Sequence, residues 1–425
     1  MKVLIVTYYW PPAGGSGVQR WLKFVKYLRD FDIEPVVYIP KDANYPIIDN
    51  SLKSDIPENI QFITKPIVEP NTIFSFFKPK KTKQSAGFLD SNPSLLGRLF
   101  LKIRANYFIP DARKFWIKPS IKFLKKYLLE NEIDAIITTG PPHSLHLIGL
   151  ALKGTTGIPW ISDFRDPWTD IDYFHQLPLS NKSKAKHHLL EKKVLKNADA
   201  VLVVGETMKE NFSYISNNIH VITNGYDSDT KKQDTPIQLD TKFTITHIGL
   251  MNADRNPTIF WEALHDLIEE NQEFKNDVIV KLIGKLASQV EESIGKLPKS
   301  IIDKVGYVSH NEVKKYQLKS QVLLLAINNV PSAKGIITGK IFEYLQAKRP
   351  ILAIGPKDGD LAEILKKTNS GTIVGFNEKE VLKSEILKLY SAYKTGDLKI
   401  SSINIEQYHR KNLTAQLAQI IKTIK

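Results

Sequence analysis

The sequence predicts an α/β protein of two doubly wound, Rossmann-like domains, and three observations carry that prediction. Short continuous apolar runs recur along the 425 residues, as expected of parallel strands covered on both faces by helices. The chain opens on a strand, a proline- and glycine-rich loop, a helix and a second strand, the first unit of a doubly wound sheet. The alternation of strand and helix restarts after Asn224, so a second sheet is expected after the first.

Residues 2–7 read as a buried strand and Tyr8 to Gly17 as the loop that follows it. Val18 to Phe31 reads as a helix, with Val18, Trp21, Leu22, Phe24, Val25 and Leu28 at helical spacing. Glu34 to Ile39 is the next strand, and Ala135–Thr138, Pro159–Ser162 and Ala200–Val204 continue the series with helices between them. The second series runs Phe243–Ile248, Val278–Ile283, Val322–Ala326, Ile351–Ile354 and Gly371–Val374. A linker is expected near 210–224, giving an N-terminal domain over 1–215 and a C-terminal domain over 224–405. In the tail, 406–425, Leu413, Leu417, Ile420 and Ile421 predict an amphipathic helix.

One insertion, 71–109, breaks the alternation. It interleaves Phe74, Phe76, Phe77 and several leucines with lysines and arginines, and Asp90 is its only acidic residue between Asn71 and Tyr107. Such a segment suits an anionic membrane surface; the other reading is a solvated loop followed by a helix docked on the core.

Composition narrows the function. With 42% hydrophobic and 24% charged residues, the chain is that of a soluble globular protein. The absence of cysteine excludes disulfides, thiolate chemistry and cysteine-based zinc sites. The first strand turns polar and aromatic too soon for a signal-peptide core, and no apolar run reaches the roughly 18 residues of a spanning helix, so a cytoplasmic protein is expected. A formal net charge of +14 favours anionic partners. The lysines are spread along the chain and form no recognisable nucleic-acid module, so phosphorylated substrates or anionic lipid are expected and nucleic acid is not.

The motif richest in chemistry is Lys334-Gly335-Ile336-Ile337-Thr338-Gly339-Lys340-Ile341-Phe342-Glu343-Tyr344-Leu345. A glycine-bearing loop runs into a helix carrying Lys340 and Glu343 one turn apart. Free amides at a helix start attract phosphate, Lys340 adds a point charge, and Glu343 can accept hydrogen bonds from a ribose diol. Gly249 to Pro257 is a second glycine-led loop after a strand, in which Arg255 can reach a diphosphate. The first loop, Pro11 to Arg20, contains Gly14, Gly15 and Gly17 but departs from both the dinucleotide and the Walker A patterns. It is expected to face a ligand held mainly elsewhere. Two more loops fall at carboxyl ends of strands, where α/β sheets place ligands. One is Gly140-Pro141-Pro142-His143-Ser144, where His143 can serve as acid–base or hydrogen-bond donor. The other is Asp163-Phe164-Arg165-Asp166-Pro167-Trp168, whose charges are either paired in a structural Arg–Asp bridge or used in catalysis. Asp199 is expected to cap or pair at a strand start. No Asp-x-Asp is flanked by strand residues, so no metal ligand is assigned and metal-independent chemistry without a cofactor is expected.

Taken in order, these motifs resemble glycosyltransferase family 4, the retaining GT-B enzymes, over nearly the whole chain; Lys340-x-x-Glu343-Tyr344-Leu345 is the most specific of them. The resemblance implies two Rossmann-like domains facing across a cleft, the donor held mainly by the second, and a C-terminal helix crossing back to the first. It implies a nucleotide diphosphate sugar as donor and a hydroxyl acceptor on a cell-surface or lipid-linked saccharide, with the enzyme cytoplasmic or peripheral at the inner face of the membrane. Carried over by position, Glu343 resembles the ribose-binding glutamate, and Lys340 and Arg255 the phosphate contacts. Gly15 and Gly17 resemble the loop that meets the diphosphate from the other domain. Gly335, Thr338 and Gly339 complete the expected donor set, and Asp163, Arg165 and His143 the catalytic one. The family's usual first glutamate is Gly335 here, so backbone amides of 335–339 or another residue must handle the donor sugar. A sugar-nucleotide 2-epimerase and a non-catalytic sugar-nucleotide binding protein are the alternatives.

Overall fold

The computed structural model describes residues 1–69, 95–171, 174–227, 238–306, 308 and 310–424. The first part of the basic-aromatic insertion, 71–94, lies outside them. The described chain divides into two units, Met1–Asn224 together with Arg410–Lys425, and Gly225–His409.

In the first unit, strands β1 (Lys2–Val6), β2 (Glu34–Lys41), β3 (Gln61–Pro66), β4 (Ala135–Gly140), β5 (Trp160–Phe164), β6 (Ala200–Val203) and β7 (Ile219–Val221) form one parallel sheet in the order β3-β2-β1-β4-β5-β6-β7. Every residue of β4, β5 and β6 is buried, which is why these strands read as unbroken apolar runs. Helices α1 (Ser16–Leu28), α2 (Leu95–Tyr107), α3 (Lys114–Glu130), α4 (Ser144–Thr156), α5 (Asn181–Asn197) and α6 (Glu206–Ser213) connect the strands. On one face, Val3, Ile5, Ala135 and Ile137 pack with Trp21, Leu22 and Val25 of α1. On the other, Leu4, Val6 and Ile136 pack with Leu124 of α3 and Ile148 and Leu152 of α4.

In the second unit, β8 (Phe243–Ile248), β9 (Val278–Ile283), β10 (Ile302–Val305), β11 (Val322–Ala326), β12 (Ile351–Ile354) and β13 (Gly371–Val374) form a parallel sheet in the order β10-β9-β8-β11-β12-β13. Its helices are α7 (Thr258–Glu270), α8 (Gln272–Asp277), α9 (Ser288–Ile294), α10 (His310–Lys319), α11 (Lys340–Ala347), α12 (Asp360–Thr368) and α13 (Lys379–Lys394). Phe260, Leu264 and Leu267 of α7 cover one face and Ile341, Phe342 and Leu345 of α11 the other. The last helix, α14 (Arg410–Thr423), returns to the first unit, where Leu413, Leu417 and Ile421 bury against the α1 side of its sheet. The expected fold class, two doubly wound parallel sheets with a returning C-terminal helix, is therefore the observed one.

Three strands were not expected. β3 has one buried residue, Ile63, and β7 none. β10 carries Asp303 and Lys304 outward. All three lie at sheet edges, where one side of the strand meets solvent and the apolar run thins out. The stretch 210–224, expected as linker, instead holds the end of α6 and β7. Asp199 accepts from Lys153 Nζ at 2.9 Å and from the Trp160 amide at 2.7 Å, tying β5 to the start of β6.

Candidate functional site

Both sheets reverse their strand order beside a central strand, between β1 and β4 in the first and between β8 and β11 in the second. At such a point the loops leaving the two strands diverge and open a crevice at their carboxyl ends. In the second unit the diverging loops are Gly249 to Pro257 and Ile327 to Gly339; these hold Arg255, Gly335, Thr338 and Gly339 of the expected donor set, and the helix that follows, α11, holds Lys340 and Glu343.

Arg255 is fixed by its own loop and the opposite one. Its Nε donates to Asn328 Oδ1 at 3.0 Å, its Nη1 to the Leu250 carbonyl at 3.1 Å, and its amide to Asn252 Oδ1 at 3.0 Å. Lys340, the first residue of α11, crosses the crevice. Gly249 has φ of 101°, and a Cβ there would stand 2.9 Å from Lys340 Cε and 3.2 Å from Nζ. Only glycine gives the lysine that place without strain. Burial, then the nearby Arg255, lowers the Lys340 ammonium to about 7, against a smaller opposing pull from Glu343. Two cations gathered at a helix N-terminus repel each other and the helix dipole, a repulsion that a bound anion relieves. Glu343, one turn on, is half-buried, and its Oε2 accepts from Gln317 Nε2 at 2.9 Å.

The loop amides sort themselves. Gly335 ends a short 3-10 turn, Ala333–Gly335; its amide donates to Ser332 O at 3.2 Å and that of Ile336 to Ala333 O at 3.1 Å. The Lys340 amide donates to Thr338 Oγ1 at 3.1 Å and that of Ile341 to Thr338 O at 3.2 Å. Of the 335–339 amides expected to meet the donor, Gly335 and Ile336 are thus spent inside the protein, while those of Ile337, Thr338 and Gly339 have no protein acceptor among the described residues. Gly339, the N-cap of α11, is exposed, and the Thr338 hydroxyl before it accepts from the first amide of the helix.

In the first unit the expected catalytic residues separate into different roles. Asp163 is 0% exposed and its carboxylate is fully engaged. Arg20 donates to it through Nη2 at 2.9 Å, Trp21 Nε1 at 2.7 Å and Thr139 Oγ1 at 2.8 Å. Burial raises its pKa, but Arg20 and these donors outweigh burial and the carboxyl stays ionised. An Arg–Asp bridge does exist at this loop, with Arg20 of α1 and not Arg165 as the partner. Arg20 also donates to the Thr223 carbonyl at 2.9 Å, so the bridge anchors β5, α1 and the end of the unit together.

Arg165 donates to backbone carbonyls: Gly17 O from Nη1 at 2.5 Å, Gly140 O from Nε at 3.3 Å, and Pro141 O from Nη2. A Cβ on Gly17 would stand 2.6 Å from Arg165 Nη1, so Gly17 makes room for this guanidinium. Gly15 has φ of 94° and supplies the turn into α1. His143 precedes α4, stacked on Trp168 at 4.8 Å between centroids, with its Nδ1 buried and unpartnered. Burial, with His146 next, holds it well below the usual imidazole range, so it is neutral near pH 7. His146 Nδ1 shares a hydrogen bond with the Thr138 hydroxyl at 2.9 Å and its Nε2 is left unpartnered; burial lowers it to about 3. His146 and, in the second unit, His247 and Asn328 went unnoticed in the sequence, and Arg20 was read only as the end of the first glycine loop, with no partner assigned. Among the described residues, no three histidine, aspartate or glutamate side chains gather as a metal site.

Residues 72–230 match the family model described as Glycosyltransferase Family 4. The family resembled by the motifs is thus the family matched, although part of the matched stretch lies outside the described residues. No curated protein matches the chain. Among solved structures, the chain is similar to the lipopolysaccharide outer core galactosyltransferase WaaB in its apo form, with 11% identity, coverage of 100% of this chain and 99% of that one, and a TM-score of 0.57. It is similar to Anabaena HepE in complex with UDP-glucose, with 14% identity, coverage of 100% and 97%, and a TM-score of 0.54. It is also similar to the UDP-GlcNAc 2-epimerase of Methanocaldococcus jannaschii, with 11% identity, coverage of 100% and 100%, and a TM-score of 0.51. At these identities the likeness is one of fold.

Proposed function

We propose that this protein is a glycosyltransferase that transfers a sugar from a nucleoside diphosphate sugar to a hydroxyl of a saccharide or lipid-linked acceptor, with retention and without a metal ion. The observation that carries the reading is the convergence of Lys340, Arg255, the start of α11 and Glu343 at the switch point of the second sheet. Two cations and the free amides of 337–339 suit a diphosphate, and a carboxylate one helical turn away suits a ribose diol. The same groups would stabilise the departing diphosphate as charge develops on it, the largest single contribution open to such a site. The family matched and the UDP-glucose held by HepE support the donor class.

In this reading Asp163 and Arg165 are structural anchors of the loop after β5, and His143 is the group of the expected catalytic set left to meet a sugar. Its unpartnered nitrogen and neutral ring suit hydrogen bonding to a hydroxyl. Binding at an anionic inner-membrane surface is part of the proposal, because α2 presents Leu99, Ile103 and Tyr107 to solvent beside the exposed Arg98 and Lys102. None of the described helices is long and apolar enough to cross a membrane.

Incubation with a panel of nucleoside diphosphate sugars, with and without a saccharide acceptor, tests the reading. Acceptor-dependent release of nucleoside diphosphate is expected. A changed sugar still carrying its nucleotide indicates the epimerase, a reading the likeness to UDP-GlcNAc 2-epimerase keeps open, and binding without turnover indicates a sensor.

A further inference from the structure

Strand β8 carries a histidine, His247, that lies outside the expected donor set. His247 is fully buried in a strand whose residues are all buried. An imidazole there is a costly occupant unless its nitrogens are used. Its Nε2 lies 3.3 Å from Lys340 Nζ, and its Nδ1 has no hydrogen-bond partner. Lys340 has no carboxylate within ion-pair distance among the described residues. The amine of Lys340 therefore lies against the imidazole of His247 on β8 and over the bare backbone of Gly249.

We propose that His247 is a positioning residue for the phosphate-binding lysine: it holds Lys340 Nζ above Gly249 through a neutral nitrogen, so that this amine takes up a proton together with a nucleoside diphosphate. The proposal rests on the donor-binding reading of the second unit. A carboxylate in place of His247 would neutralise the ammonium but would also repel the phosphates; an imidazole kept neutral by its burial does neither. The charged groups felt by Lys340 are Arg255 from the loop after β8, which opposes its charge, and Glu343 from α11, which favours it. With this amine near the middle of its titration at about 7, a diphosphate tips it to the charged form. Proton uptake on binding should be absent well below that pH and should grow above it, while affinity falls as pH rises further.

The test is titration calorimetry with UDP, GDP, ADP and dTDP, taking the nucleotide that binds and repeating it at pH 8 in buffers of different ionisation enthalpy. The wild type should take up about one proton, the amount expected when a group titrating near neutrality is fully charged in the complex. Lys340→Met should abolish the uptake and weaken binding. His247→Leu should weaken binding about tenfold, the low end for a lost charge-assisted contact, and reduce the uptake. His247→Gln, which keeps an acceptor of similar reach, should restore most of both. Melting temperatures show whether each variant is folded; if His247→Leu is not, His247→Asn, whose amide is too short to reach Nζ, takes its place with the same expected losses. Wild-type binding and uptake in a folded His247→Leu or His247→Asn overturn the role of His247 alone. Unchanged affinity in Lys340→Met, or no nucleotide bound by the wild type, overturns the donor site itself.

Discussion

Glu343 and Asp163 show how surroundings separate two carboxylates. Glu343 is half-buried and accepts from Gln317 at a single oxygen, leaving the other for a ligand. Glu343→Ala should weaken nucleoside diphosphate sugar binding by about 1.5–3 kcal/mol, the worth of charge-assisted hydrogen bonds, with little change in melting temperature. Calorimetry beside a thermal melt checks both halves; a collapsed melting temperature would assign the residue to the scaffold. Asp163 is the reverse case, enclosed by Arg20, Trp21 and Thr139. Asp163→Asn leaves the Arg20 guanidinium buried without its counter-charge, and should cost about 3 kcal/mol of stability in urea unfolding, the lower bound for breaking a buried pair. Lys340 links charge to stability as well. Its amine is lowered from 10.5 to about 7 in the folded state. Between those values the unfolded chain binds the extra proton, so this residue makes stability rise with pH there. The melting temperature of the wild type should gain on that of Lys340→Met as the pH is raised through that window.

At the scale of elements, the strand–loop–helix junctions do the positioning. The loop after β8 works because Gly249 has positive φ and no side chain beneath Lys340. Gly249→Ala should displace the lysine and lose nucleotide binding about as fully as Lys340→Met, since a Cβ at 2.9 Å from Cε forces a shift; retained affinity would show that the lysine has another route to the phosphates. Which elements were legible follows from burial. β8, β9, β11 and β12 begin and end where the apolar runs do, because most of their residues are buried; β13, an edge strand with only Val374 buried, was still legible from its Ile373-Val374 pair. The edge strands β3, β7 and β10 escaped because solvent on one side erases the pattern. The residues expected to bind the donor could be proposed from sequence because helix-start chemistry is local: Lys340, Thr338 and Glu343 lie within six positions of one another. Arg20 and His247 could not, because their partners Asp163 and Lys340 are 143 and 93 residues away.

For the whole molecule, two predictions concern what it needs and where it works. Turnover should survive excess chelator, because Lys340, Arg255 and the amides of 337–339 are placed to neutralise a diphosphate; activity lost to chelator and restored by Mg²⁺ or Mn²⁺ would sink the claim. The protein should also co-sediment with anionic vesicles at low salt and be released at high salt. Leu99, Ile103 and Tyr107 are 54%, 45% and 68% exposed along α2, beside Arg98 and Lys102. Each basic residue near an anionic surface adds about 1 kcal/mol. Protein remaining in solution with anionic vesicles would point to a soluble acceptor, and Arg98→Glu with Lys102→Glu should weaken any binding seen.

The sequence alone determined the two sheets, their restart after Asn224, the returning helix and the phosphate-suited start of α11, since each is written in runs of neighbouring residues: periodicity, glycine placement and helix-start chemistry. Only the tertiary structure decided which of the expected site groups are paired inside the protein. It turned Asp163 into the buried partner of Arg20, spent Arg165 on three carbonyls, used up the Gly335 amide in a turn and set His247 against Lys340. Those outcomes depend on which distant groups burial brings within hydrogen-bonding distance, and no local pattern encodes that.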